Sequence, residues 1–112
     1  MPHNPAVCLE DAANACCLIL QFTENMTETE YALDIKTQSA VERQFEIIGE
    51  ALNRIKNIDA ELLTKIDNWR EIIGFRNVIA HGYDVVENEI VWDSITKDIP
   101  LLLNQLARLL NN

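Results

Sequence analysis

The chain has 112 residues, a formal net charge of -9, 48% hydrophobic residues and only 3 Gly and 3 Pro. This length suits one domain, residues 1–112, with its own hydrophobic core, and the composition favours helices over a turn-rich β fold. The negative charge argues against broad electrostatic binding of nucleic acid, although a focused cationic cluster can still bind phosphate.

The amino-terminal segment predicts neither a signal peptide nor a membrane anchor. The opening residues Met1 to Pro5 include no basic run. The apolar run from Ala15 to Leu20 is too short for a signal-peptide core with its cleavage site, or for a membrane span. We therefore expect a cytoplasmic protein without a membrane partner.

The first predicted helix runs from Pro5 to about Phe22. Proline is favoured in the first turn of a helix, where its missing N–H is not needed. Apolar residues then supply one side of the helix: Val7, Ala12, Ala15, Cys16, Ile19 and Leu20. We expect this side to pack on the core.

Three cysteines lie on this first helix, at Cys8, Cys16 and Cys17. Their odd number and the adjacent pair fit no usual disulfide framework or zinc spacing. We interpret them as small buried thiols, because free cysteine is among the most buried residue types. A metal site made by Cys8 and His3 is the less favoured alternative.

A short second helix is predicted from the sequence Thr27-Glu28-Thr29-Glu30, which has the form of a capping box. Thr27 would be the N-cap and Glu30 the third helical residue. A bend is expected near Asp34, before the next helix begins.

A long core helix is predicted from about Lys36 to Asn57. Its apolar residues alternate at spacings of four and three: Val41, Phe45, Ile48, Leu52 and Ile55. The other side of the helix is highly charged: Glu42, Arg43, Glu46, Glu50 and Arg54. We interpret that side as solvated, with the two arginines as partial neutralisers. The alternative is a paired-carboxylate site, with Glu46 and Glu50 as secondary candidates.

Two further helices complete the predicted fold. Asp59 is a plausible N-cap for a short helix from Ala60 to Ile66, and Asp67 or Asn68 could cap a helix beginning at Trp69.

The last helix is expected to start between Asn88 and Ile90, with a kink or restart at Pro100, because proline removes a backbone donor. The sum is an all-α, antiparallel bundle of four main helices with one or two short helical segments.

The stretch Arg76-Asn77-Val78-Ile79-Ala80-His81-Gly82-Tyr83 is the first candidate for a functional site. Arg76 falls inside an otherwise apolar helical stripe, where an unpaired charge is costly. Asn77 and His81 lie on one face, but Arg76 and His81 would be about 140° apart on an ideal helix. Either the helix ends at His81, which Gly82 favours, or a second copy of the chain completes the site. Both can hold.

Arg76, His81 and Tyr83 match the Arg-x4-His-x-Tyr signature of HEPN domains, and the whole stretch resembles the branch called HepT. The segment Ala40 to Ala51 resembles the long helix of that family. Residues 90–102 resemble its final helix, and the first helix is the poorest match.

The resemblance implies a HEPN-like helical bundle that forms a homodimer, with two motif helices lining a shared cleft. It implies a metal-independent ribonuclease toxin that needs no cofactor and acts on RNA rather than DNA. The partner would be an MntA-like minimal nucleotidyltransferase antitoxin, which attaches AMP to the motif tyrosine, here Tyr83.

In this interpretation His81 serves as a base, an acid or a phosphate ligand, and Arg76 stabilises charge on the phosphate. Asn77 would orient His81 or the phosphate, and Tyr83 would position RNA. Two alternatives remain: a non-catalytic binding subunit that presents nucleotide or substrate to a nucleotidyltransferase, and a purely structural bundle in which the motif only caps and packs.

Overall fold

The fold is given by a computed structural model, which describes residues 4–80 and 88–111, with the backbone alone for residues 76–80. All regular secondary structure in these residues is helical. The helices are α1 (Pro5–Phe22), α2 (Glu28–Leu33), α3 (Ile35–Ile58), α4 (Ala60–Leu63), α5 (Trp69–Ala80), α6 (Asn88–Asp93), a π-helical segment (Ser94–Asp98) and α7 (Ile99–Leu110). The predicted all-helical fold, with long helices and short connecting ones, is confirmed.

Helix α1 has the predicted bounds. The Asn4 side chain caps it by accepting a hydrogen bond from the Ala6 N–H at 2.9 Å, and Pro5 occupies the first turn. By length and composition alone α1 could cross a membrane. Six of its residues nevertheless belong to the core: Cys8, Leu9, Ala12, Ala15, Cys16 and Ile19. Packing accounts for this part of the apolar character of α1, while Val7, Leu18 and Phe22 stay exposed.

The prediction of three buried cysteines is wrong for one of them. Cys8 and Cys16 are buried, but Cys17 is exposed, because the next residue of a helix points about 100° away. Burial raises the pKa of the Cys16 thiol to about 12, with a smaller contribution from Cys17. Cys16 is therefore a protonated core residue at neutral pH.

The corner between α2 and α3 is held by side chains that bond to the backbone. Both hydrogen bonds of the predicted capping box are present, between Thr27 and Glu30, at 2.9 and 3.1 Å. The predicted bend lies at Asp34, which caps α3 by accepting from the Thr37 N–H at 3.0 Å and the Thr37 hydroxyl at 2.8 Å. These bonds lower the pKa of Asp34. Gln38 donates to the carbonyl oxygen of Tyr31 at 2.8 Å.

The segment before α5 differs from the prediction in two respects. Helix α4 ends at Leu63 rather than Ile66, because 3₁₀-type bonds replace the α-helical ladder after it. Helix α5 begins at Trp69 as predicted, but the Asn68 side chain does not cap it. Both amide atoms of Asn68 are buried and find no hydrogen-bond partner among the described residues.

The predicted disturbance near Pro100 takes the form of a π-helical segment. Helix α6 continues into Ser94–Asp98 and then into α7, so that Pro100 lies in the first turn of α7. The wider π turn lets the chain continue where proline cannot complete the α-helical ladder.

One cluster of buried side chains joins the helices. Its largest members that are fully buried come from α1, α2, α3 and α7 and from the segment around α4: Ile19, Tyr31, Phe45, Ile48, Leu52, Ile55, Leu63, Ile66, Ile99, Leu102 and Leu106. Helix α3 is central, because it packs against both α1 and α5, while α7 covers α1.

Candidate functional site

The motif found in the sequence lies at the carboxyl end of α5. Arg76 and Asn77 belong to the helical backbone of α5, which is described as far as Ala80. Their side chains, and the whole of His81 and Tyr83, lie outside the described part of the chain. The roles predicted for these four residues therefore stay predictions.

Two contacts define how α5 lies along α3. Near the start of α5, the Lys56 ammonium lies 5.8 Å from the centre of the Trp69 ring. Farther along, the rings of Phe45 and Phe75 meet edge to face, 4.9 Å apart with an interplanar angle of 81°. As residue numbers rise on α5 they fall on α3, so the two helices run antiparallel. The carboxyl end of α5 is therefore directed toward the amino-terminal half of α3.

Glu42 and Glu46 lie on that half of α3, and Glu50 follows one turn farther along. The side predicted to be solvated is only partly so, because Arg43 and Arg54 are exposed whereas the three glutamates are half-buried. Arg43 does act as the predicted neutraliser, since its guanidinium lies 3.1 Å from a Glu46 carboxylate oxygen. Of the secondary candidates, Glu46 lies on the half of α3 toward which the motif helix is directed, and Glu50 lies one turn beyond that half.

The structure adds one group that the sequence analysis missed, the phenol of Tyr31 on α2. Tyr31 is 0% exposed, and its hydroxyl has no hydrogen-bond partner within the described residues. Its ring lies 5.5 Å from that of Trp92 on α6. Burial, and secondarily the charge of Glu42, raise the pKa of Tyr31. A lone tyrosine inside an acidic helix gave no signal in the sequence.

Glu42 is affected by the same surroundings. Burial raises its pKa above the ordinary value, and the negative charge of Glu46 raises it further. The carboxyl nearest Tyr31 is therefore easier to protonate than a surface glutamate. Such a group can exchange a proton or, when neutral, donate a hydrogen bond to a nearby polar atom.

A prediction about pH follows from Glu42. Because its pKa is raised on folding, its contribution to stability is present below the ordinary pKa and is lost as the pH rises through the folded value. The free energy of unfolding of Glu42→Gln, relative to that of the wild type, should therefore be higher at about pH 7 than at about pH 4. Urea unfolding at both values measures the difference. Glu61→Gln, at an exposed position of α4, is the control, and an equal response of the two variants would contradict the assignment.

No metal centre is evident in the part of the chain that is described. Within it, no three His, Cys, Asp or Glu side chains come together in a way that could hold an ion.

The all-helical fold, in which α5 carries the start of an Arg-x4-His-x-Tyr motif, is compatible with a helical HEPN bundle. The family model for ribonuclease HepT-like proteins matches residues 12–109. The chain belongs to the ribonuclease HepT-like family.

Individual relatives cover most of the chain. A protein of Thermococcus cleftensis named "Probable ribonuclease HepT" is 39% identical over 101 residues, which are 90% of this chain and 91% of the relative. A protein of Caldanaerobacter subterraneus, provisionally named as an RNase, is 30% identical over 96% of this chain and 95% of its own length. Another, from Methanocaldococcus jannaschii and also provisionally named as an RNase, is 31% identical over 84% of this chain and 77% of its own length. No solved structure matches the chain at a significant level.

Proposed function

We propose that this protein is a metal-independent RNA endonuclease that acts as a homodimer, with Arg76 and His81 as its catalytic residues. The observation that carries the proposal is the match of the ribonuclease HepT-like family across residues 12–109, together with the intact Arg-x4-His-x-Tyr motif.

RNA can be cleaved with the 2′-hydroxyl as the nucleophile. The hydroxyl loses a proton and its oxygen bonds to phosphorus, while the bond from phosphorus to the 5′ oxygen breaks and that oxygen gains a proton. His81 can take or give a proton near neutral pH, whichever of the two steps it serves. The planar guanidinium of Arg76 can hold two phosphate oxygens and stabilise the added charge. Asn77 would orient His81 or the phosphate.

The dimer is proposed because a single motif helix cannot aim both groups at one phosphate. Arg76 and His81 project about 140° apart if α5 continues as a regular helix. Two copies related by a twofold axis could pair the arginine of one with the histidine of the other across a cleft. The proposal also places the protein in the cytoplasm, where RNA is available.

We further propose regulation of the type II-like toxin–antitoxin kind. An MntA-like minimal nucleotidyltransferase would transfer AMP from ATP to the phenol oxygen of Tyr83, with pyrophosphate as the leaving group. The new phosphodiester would occupy the cleft and compete for the cation of Arg76. RNA would then be excluded from the site.

The AMP acceptor can be tested by mass. After incubation with the partner enzyme and ATP, the intact protein should gain the mass of one AMP, and Tyr83→Phe should gain none. Tyr31→Phe is the matched control, because that phenol is buried, and it should be modified like the wild type. Modification of Tyr83→Phe to the wild-type extent would exclude Tyr83 as the acceptor.

A second candidate function is a binding subunit that does not cleave RNA but presents nucleotide or substrate to the nucleotidyltransferase. The net charge of -9 favours it, because a nuclease benefits from a basic approach surface. Purified protein incubated with RNA and a chelator separates the two. Cleavage that persists in the chelator supports the ribonuclease, whereas binding without cleavage supports the second function.

A further inference from the structure

A surface groove lies between α2 and α6. Its two cavities, of about 360 and 270 Å³, share Glu28 and Glu89. We call this the α2–α6 groove, and define it by Glu28, Ala32, Leu33, Glu89, Ile90 and Asp93. Trp92 also lines it, and its ring lies 5.5 Å from that of the buried Tyr31.

Large apolar side chains are exposed along this groove. Leu33 is 81% exposed and Ile90 is 55% exposed, and both line the groove. Single exposed apolar residues are common, but two large ones along one groove are typical of a binding surface.

The same groove is negatively charged. Glu28, Glu89 and Asp93 line it, and no Lys or Arg side chain of the described residues does so. The Lys97 ammonium lies 2.7 Å from an Asp93 carboxylate oxygen, so this cation is already paired. Next to the groove, a cleft against α5 shares Ile90 and Asp93 and adds further carboxylates. The surface thus combines an apolar strip with a negative potential.

We infer that the α2–α6 groove binds a segment of a partner protein that carries apolar side chains flanked by Lys or Arg. The negative charge of the groove argues against two other occupants, RNA and a second copy of this chain. RNA phosphates would be repelled by Glu28 and Glu89, and a twofold contact centred on the groove would bring the same carboxylates of two copies together. A basic amphipathic segment satisfies both the apolar strip and its acidic border. The inference does not depend on ribonuclease activity.

The fluorescence of Trp92 can report binding in the groove. Of the 2 tryptophans in the chain, Trp92 lines the groove, so Trp69→Phe leaves a single fluorophore there. The probe is a synthetic amphipathic peptide of about four helical turns, with leucine on one face and lysine on the other. A peptide with glutamate in place of lysine is its control. The lysine peptide should alter the fluorescence of Trp92, and the glutamate peptide should not.

Variants in the same background locate the binding. Leu33→Ser should weaken binding of the lysine peptide by about tenfold. The single variants Glu28→Gln and Glu89→Gln should each weaken it by about two- to fivefold. Ile58→Ser, an apolar residue of α3 that is 40% exposed and outside the groove, should leave the affinity unchanged. Absence of a response to the lysine peptide, or equal affinity in Leu33→Ser and wild type, would overturn the inference.

Two further outcomes would also overturn it. If labelled RNA displaces the lysine peptide, then the groove belongs to the nucleic-acid surface. If sedimentation shows that Leu33→Ser converts a dimer into monomers, then the groove holds a second copy of this chain. Retention of the wild-type oligomeric state, with no displacement by RNA, supports a separate protein partner.

Discussion

His81→Ala is expected to reduce RNA cleavage by about 10²- to 10⁴-fold, because the reaction loses the group that moves protons at neutral pH. Arg76→Ala should reduce it by about 10²- to 10³-fold, through loss of charge stabilisation at the phosphate. Single-turnover cleavage of a labelled RNA by purified protein measures both effects.

The matched control for these variants is Arg43→Ala. Arg43 is an exposed arginine of α3 that pairs with Glu46 at 3.1 Å, so its loss removes one positive charge without altering the motif. It should change cleavage by less than about fivefold, the effect of a surface ion pair. Thermal melts of all the variants establish that each is folded. Full cleavage by folded His81→Ala would exclude the proposed mechanism, and equal losses in Arg43→Ala would indicate a nonspecific charge effect.

Phe45→Ala is expected to destabilise the protein by about 3–5 kcal/mol, the range for deleting a buried aromatic side chain. Phe45 is 0% exposed and its ring meets that of Phe75 edge to face. The substitution would leave a cavity where α5 packs on α3, and would thereby loosen the helix that carries the motif. Urea unfolding measures the change in free energy.

Two comparisons make this result specific. Phe22→Ala removes the same side chain at a position that is 37% exposed. It should lower the free energy of unfolding much less than Phe45→Ala does. A double-mutant cycle with Phe75→Ala should give a coupling of about 0.5–1.5 kcal/mol beyond the effect of lost area. Equal destabilisation by Phe22→Ala and Phe45→Ala, or zero coupling, would show that the pair does not join α3 to α5.

The antiparallel arrangement of α3 and α5 explains why the two candidate regions of the sequence belong together. Glu42 and Glu46 on α3 are about thirty residues from Arg76 on α5 in the chain. Because the two helices run antiparallel, these residues nevertheless come to one part of the bundle. Glu42 and Tyr31 join this region from α3 and α2. Changes at these two residues should therefore be examined for effects on cleavage as well as on stability.

Local patterns in the sequence determined most of the helices. Three predicted features depend only on residues within one or two helical turns. They are the capping box at Thr27 and Glu30, the bounds of α1 and the interruption at Pro100. These interactions are the same in any tertiary context, and so they were predictable. The motif from Arg76 to Tyr83 was likewise visible as residue types at fixed spacing, and the family that it suggested is confirmed by the match over residues 12–109.

Only the tertiary structure decided which polar groups are buried and which apolar groups are left exposed. Periodicity could not reveal that the phenol of Tyr31 is enclosed within reach of the charge of Glu42, or that Cys17 faces outward. It also could not reveal that the buried Asn68 side chain finds no partner among the described residues. It also could not show that Leu33 and Ile90 border an acidic groove. Such features arise from contacts between residues far apart in the chain, whereas helix formation depends on neighbours three or four residues away.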